Sequence, residues 1–497
     1  MQETIHLSHL QFVNAITMGG AIDINHVDRN FEVRNDFGGG STYVIKNVAV
    51  SSDIYLIAKE IPKRIVIENC IFQSIYIADC AFLNGISFEE VTCNNISVRR
   101  TRSQDHFELK STKAGSISFN FLNFGQLLLS ELDCYSINLD NGKSDFITIY
   151  GAKIKQALGI SNIIGIKNLE VNNVNALSIN IASCRAEELI AVVRTEAKGD
   201  FILNGDIDGR VLVDNIKASK LLSKFLSWGR EKEFLIKQSQ VHEIFLPSVK
   251  EKCSLIVQEV EFNFIELNGF NNLGHMQWGN LNPVDKSKIL IYGSNTGKWD
   301  LIGCDLSQTR LSISKSKILD AFYTNTIFPN ALSLPEDIDP ANKELGHTSL
   351  RDAYNQLKTI AHKQNDRRYY LHFQAAEMAS YYETVSWRCS SIFNKVQLWF
   401  MMMSNGFGIN WQRGVLFVAV VNLIFLSIVF RKMPIQLTSG SICLFGAHFF
   451  EFMFALTNKP DFVKCSEQVI VYYVSRIFIA FGIYQTISAF RKYGKAE

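Results

Sequence analysis

From Ile65 onwards, apolar triplets recur about every ten residues: IVI at 65, IYI at 75, ISF at 86, ISV at 96, FEL at 107, ISF at 117, LLL at 127, INL at 137 and ITI at 147. Between them lies a second set of apolar pairs, Cys70 with Phe72, Cys80 with Phe82, Leu122 with Phe124 and Leu132 with Cys134. Inward candidates therefore come two apart, and each such pair is repeated about every five residues.

Two side chains two residues apart share one face of an extended segment, so a five-residue repeat of such pairs means that the chain turns after each segment. Four segments close a square coil of about 20 residues. At roughly 4.8 Å per coil, residues 60–220 make about eight coils and a rod of about 38 Å. Each coil buries its pairs only against its neighbours. The expected interior ladders run through Ile67, Cys70, Phe72, Ile77, Cys80, Phe82, Leu122 and Phe124. No proline occurs between Pro62 and Pro247, a stretch in which interior ladders need every backbone N–H.

The expected order is an N-terminal cap over 1–56, a β-solenoid over 57–225 and its continuation with an insertion over 226–340. The repeat blurs after Ile149, which suggests oval or bulged coils. It is interrupted at about 221–250, where LLSKFLSWGREKEFLI suggests a short helix, and it resumes near 255–267, 289–307 and 309–323.

ENCIF, ADCAF and NFLNF resemble the pentapeptide-repeat family, with a central Phe or Leu and a smaller residue two before it. The resemblance implies a right-handed β-solenoid. Ile65, Ile75, Ile86 and Ile96 are larger than the residue usual at that position. Some soluble members of the family mimic DNA, which needs a strongly acidic rod; here basic and acidic side chains nearly balance over 60–220, so no nucleic-acid role is expected. A sugar-cleaving β-helix would need clustered carboxylates on one face and an extracellular address, and neither is visible. The reading is non-enzymatic, with no catalytic, cofactor or metal residues.

Composition changes after LSLPEDIDPAN (332–342), where Pro335 and Pro340 coincide with the end of the repeat. A helical connector follows over 345–408. Thr348 is a candidate cap for a helix with Leu350, Tyr354, Leu357 and Ala361 on one face. After the turn HKQND, a second helix is expected from Arg367 towards Cys389. SIFNKVQLWFMMM (391–403) suits a helix lying at a membrane interface, with Trp399, Trp411 and Arg413 as anchors.

The remainder, 409–497, reads as a membrane domain. Seventeen uncharged residues separate Arg413 from Arg431, and 468–490 carries Arg476 as its one charge. The second is long enough to cross a hydrocarbon core of about 30 Å, and the first nearly spans it once its flanking arginines snorkel. Between them, 439–457 is apolar but holds His448 and Glu451. The basic tail of Arg491, Lys492 and Lys495 and a solenoid with no visible secretory signal both belong in the cytoplasm. Two spans, 413–431 and 468–490, satisfy this, which leaves 439–457 as a re-entrant or short helix. Glu451 and Arg476, charged at membrane depth, are expected to face protein or water and to pair.

A span, a re-entrant helix and a second span resemble the pore module of bacterial two-span ion channels. LRDAYNQLKTIAHKQNDRRYYLHFQAAEM (350–378) with RIFIAFGIYQTISAFRKYGK (476–495) is similar to uncharacterised bacterial proteins that join pentapeptide-like repeats to such a module. The family's potassium filter reads close to TVGYG, whereas this chain reads LTNKPDF (456–462). Whole-chain composition fits a multi-domain protein: 497 residues, 47% hydrophobic, with 50 basic and 48 acidic side chains. Ten cysteines without a CxxC pair read as reduced, buried thiols. The expectation is a multi-pass protein of the inner (cytoplasmic) membrane that contacts the lipid bilayer, forms a homo-oligomer through its membrane domain and carries a cytoplasmic solenoid. That solenoid would be a scaffold or sensor for a protein partner, or alternatively the gate of an ion-conducting pore.

Overall fold

The computed structural model describes residues 5–6, 8–18, 31–35, 41–207, 209–228, 232–246, 253–334, 343–388, 391–431, 439–453, 460, 463 and 465–493. The chain divides into two compact units, 1–330 and 331–497.

The first unit is a parallel β-solenoid of about 13 turns. One inward position can be followed through successive rungs, from Ile65 to Ile86, Phe107, Leu127, Ile147, Leu169, Ile190, Val211, Phe234, Leu255, Met276 and Trp299. Thirteen turns at about 4.8 Å make a stack of roughly 60 Å. The four sides of one coil are lined by Ile65 and Ile67, Cys70 and Phe72, Ile75 and Ile77, then Cys80 and Phe82, all buried. Leu122 and Phe124 occupy the corresponding positions two turns on and are buried as well.

Coil length varies. Phe107 to Leu127 is 20 residues, Ile65 to Ile86 is 21 and Val211 to Phe234 is 23. The segment expected to form a short helix is extended instead: Lys217–Trp228, Lys232–Lys237 and Gln240–Phe245 are strands, with Phe201, Leu221 and Ile244 stacked in register. Two alternating apolar stretches extend the ladder there, and the additional residues are taken up within the longer coil.

The corners have a uniform construction. Along one edge Asn47, Asn69, Glu90, Ser111, Glu131, Asn173, Arg194 and Asn215 have positive φ, and along another Asp79, Arg100, Phe121, Asn141, Asn162 and Ser183 do. Asparagine enters this left-handed region most readily among non-glycine residues; the charged and aromatic residues are held there by the ladders on either side. The residue after each turn points inward and is often Cys, Ser or Thr. Its side chain donates to the carbonyl two residues back, as Cys70 does to Glu68 (3.2 Å), Thr101 to Arg99 (3.0 Å) and Ser239 to Lys237 (2.7 Å). Several reach the preceding coil too, as Cys80 does to Leu56 O at 3.3 Å. The same carbonyls accept an inter-coil main-chain bond, as Glu68 O does from Asn47 N at 3.1 Å, so the small donor adds a second bond at the corner.

At the N-terminal end, helix α1 (His9–Met18) buries Phe12 and Ile16, and the Phe12 ring meets Phe72 at 5.0 Å. It covers rungs that would otherwise end in water.

The second unit is helical: α2 (Lys343–Lys363), α3 (Arg367–Thr384), α4 (Ile392–Asn405), α5 (Trp411–Phe430), α6 (Ser439–Met453) and α7 (Ser466–Tyr493). Helices α2 and α3 form a hairpin, buried along Leu350, Tyr354, Leu357 and Ala361 and tied by Lys358 Nζ to Glu377 at 2.6 Å. Two details depart from expectation. Thr348 lies inside α2, where its hydroxyl donates to Glu344 O, because the helix starts five residues earlier at Lys343. Helix α3 ends at Thr384, where Val385 turns extended, and so falls short of Cys389; its N-terminus is capped by Asp366, which accepts from Tyr369 N at 3.0 Å.

Candidate functional site

Helix α5 has 20 residues, about 30 Å of rise, enough to cross a hydrocarbon core. Together α5 and α7 are the two helices, among the described residues, long and apolar enough to span a membrane, with mean hydropathies of 2.4 and 1.4 over their most apolar windows. They form an antiparallel pair. Trp411 meets Phe490 at 6.1 Å near one end, Phe417 meets Phe481 and Phe425 meets Phe478 along the middle, and Gln468 Nε2 donates to Val429 O at the other end.

Two glycines permit the approach. A Cβ on Gly482 would stand 2.6 Å from Val418 Cγ2, and one on Gly414 would run into the Thr486 hydroxyl. Between helices in lipid, close contact of small residues replaces the hydrophobic drive available in water. Amides add direction: Asn405 Nδ2 donates to Gln485 Oε1 at 2.6 Å, with both side chains buried.

Helix α6 has 15 described residues, a rise of about 22 Å. Its C-terminal turn packs on one half of the hairpin: Asn422 Nδ2 donates to Phe449 O at 2.8 Å, and Phe452 joins Leu426, Val429, Val463 and Tyr472 in a buried cluster. His448 Nδ1 lies 3.2 Å from Glu451 Oε2, and 46% of the Glu451 side chain stays exposed. The Arg476 guanidinium stacks 4.4 Å from the Tyr472 ring centre and donates to that tyrosine's hydroxyl. Of the segment compared with a potassium filter, 456–462, only Pro460 falls within the described residues.

Trp399, Trp411 and Arg413 are exposed. Helix α4 packs on the hairpin: Phe400 contacts Phe478 and Phe481, while Leu398 packs with Ala375 and Phe407. Its lysine, Lys395, is buried, with Nζ 3.6 Å from the Tyr382 ring centre and bonded to Tyr382 O. Sequence reasoning passed over Lys395, Asn405, Gln485 and Asn422. The last was within reach, being the one amide in the run between Arg413 and Arg431.

The described surface of the solenoid bears clefts. One, of about 780 Å³, is lined by Lys59, Arg99, Arg100 and Arg102 with Glu60, Asp79 and the exposed ring of Phe121; Arg100 pairs with Asp79 at 2.8 Å. Burial pushes the Cys70, Cys93 and Cys134 thiols up to about 12 and that of Cys184 to about 11, which leaves them protonated and unreactive. Among the described residues, no group of three or more His, Cys, Asp or Glu side chains is placed to hold a metal ion. No protein-family model matches the chain, and neither a curated protein nor a solved structure matches it.

Proposed function

We propose that this chain is a membrane-anchored solenoid. The α5/α7 hairpin holds it as a multi-pass protein in the inner membrane of a bacterium, and the repeat unit works on the cytoplasmic side as a scaffold or sensor that binds another protein, without enzymatic activity. The observation that carries the anchoring is the outward placement of the apolar side chains. Only 28% and 22% of the two most apolar windows are buried, whereas a core helix of a soluble protein would be mostly buried. Leu416, Leu423, Ile424, Ile470, Ile477 and Phe490 face outward, a surface that water would penalise and acyl chains accept. Arg413 and Arg491 lie at the end of the hairpin marked by the Trp411–Phe490 contact, which the positive-inside tendency assigns to the cytoplasm. The basic cleft beside Phe121 suits an acidic segment of a protein partner. Alkaline carbonate extraction of membranes tests the anchoring: the chain stays in the pellet if α5 and α7 span, and moves to the supernatant if it is only adsorbed.

A second reading is favoured by Glu451. A half-exposed carboxylate on a short helix against the hairpin is costly in lipid unless a second copy or a water-filled path covers it. A homo-oligomeric pore, gated by the solenoid and lacking a potassium filter, would supply that cover. Current across a planar bilayer that carries the purified protein, abolished or altered in selectivity by Glu451→Gln, separates the pore from the scaffold.

A further inference from the structure

Helix α4 does not pass the length test for a span, having only 14 residues, yet its contacts place it beside helices that do. Phe400 touches Phe478 and Phe481, and Asn405 bonds Gln485. Both contacts run in the same order along the two helices, so α4 is parallel to α7. Phe478 lies 12 residues beyond Ser466, roughly 18 Å along α7 and so near the middle of a core of about 30 Å. Ile392 and Phe393, at the start of α4, lie further from the Trp411 end than Phe400 does.

The side chains agree with that depth. The one charged residue of α4, Lys395, is turned inward: its ammonium lies over the Tyr382 ring, 5.8 Å from the Trp387 ring centre, and donates to a main-chain carbonyl. A cation at membrane depth needs such an enclosure, built from ring faces and a carbonyl. Elsewhere around α4 there is no charge, although Asn394 and Gln397 are exposed; Ile392 and Trp399 flank Lys395 on its own stripe of the helix, one turn to either side, and with Phe393 and Met403 they are exposed. Phe393 is 86% exposed, the most exposed large apolar side chain among the described residues. These exposed side chains continue the outward apolar surface of α5 and α7.

We propose that α4 is a membrane-embedded helix that enters the bilayer from the Trp411 end without completing a crossing, and that its Ile392–Phe393–Trp399–Met403 face contacts lipid acyl chains. The inference rests on the reading of α5 and α7 as spans.

The test uses the full-length chain in phosphatidylethanolamine–phosphatidylglycerol vesicles containing a phospholipid with a diazirine midway along one acyl chain. After photolysis, adducts are mapped by mass spectrometry. Adducts are expected on α5 and α7 and, at a comparable yield per residue, on Phe393, Trp399 and Met403, while the solenoid peptide bearing the exposed Phe322 stays unlabelled. Labelled α5 and α7 with an unlabelled α4 would overturn this inference and leave the anchor intact. An unlabelled α5 would overturn the anchor and this inference together.

Discussion

The side-chain amide of Asn422 donates to the Phe449 carbonyl across 2.8 Å, and this bond fixes where the short helix α6 meets its neighbour. Asn422 lies 11 residues beyond Trp411 in a 20-residue helix, so a main-chain acceptor near the end of α6 is held close to the midpoint of α5. Helix α6 thus packs against the half of the hairpin where α5 meets the start of α7.

Replacing Asn422 with Leu keeps the volume and leaves the Phe449 carbonyl without that donor. The membrane unit should lose about 1–2 kcal/mol, since bonds of this kind between membrane helices are modest. Thermal unfolding in detergent, followed by tryptophan fluorescence, reads the loss. An unchanged midpoint would mean that the bond does not position α6.

Gly482→Leu should be worse than any single amide change, because its side chain would occupy the space of Val418 and Phe417. The outward Val420→Leu serves as control. Loss of folded protein for the first and normal yield for the second are expected; equal behaviour would remove the close crossing of α5 and α7.

In the solenoid, two phenylalanines separate interior from corner. Phe82 is fully buried, so Phe82→Ala should cost about 3–5 kcal/mol by opening a cavity between rungs. Phe121 is exposed and has a φ of 55°, so Phe121→Gly should be neutral or stabilising, because glycine enters that conformation freely. Denaturant melts of the two variants check the five-residue register directly.

The part of that register visible beforehand was the part in which rungs are close to 20 residues and inward residues are large, from Ile65 to Ile149. Later rungs lengthen to 23 and accept Ala186, Thr195, Ala197 and Ser223 inside, and the apolar alternation fades although the ladder does not. The corners were illegible for another reason: Glu90, Arg194 and Phe121 do not announce a left-handed turn, and the small donor that marks some corners, such as Thr195 or Cys70, is replaced by Val91 after Glu90 and by Leu122 after Phe121. The depth of α4 was hidden by Lys395. A lysine in an apolar stretch argues for an interface, and only the fold shows Tyr382 and Trp387 closing over it.

The buried thiols predict a pH response. Their pKa values are raised in the folded state above the usual value near 8.5, so the stability they contribute is fully present below about pH 8.5 and is lost as pH rises towards about 11–12. Solenoid stability should therefore be flat around neutrality and fall in alkali. At pH 7.5, Cys70, Cys80, Cys93, Cys134, Cys184 and Cys304 should resist iodoacetamide until the chain is unfolded, whereas the exposed Cys465 should react at once. Fast alkylation of Cys70 in the native protein would contradict its interior position.

The most direct measurement is the sidedness of α5 and α7 in a cell membrane, read from two fusions: a reporter inserted after Arg431 and one after Glu497. The hairpin predicts opposite sides, the C-terminal reporter active in the cytoplasm and the inserted one outside. Both reporters on the cytoplasmic side would show that neither helix crosses, and the antiparallel pair would then be a surface-bound hairpin rather than an anchor.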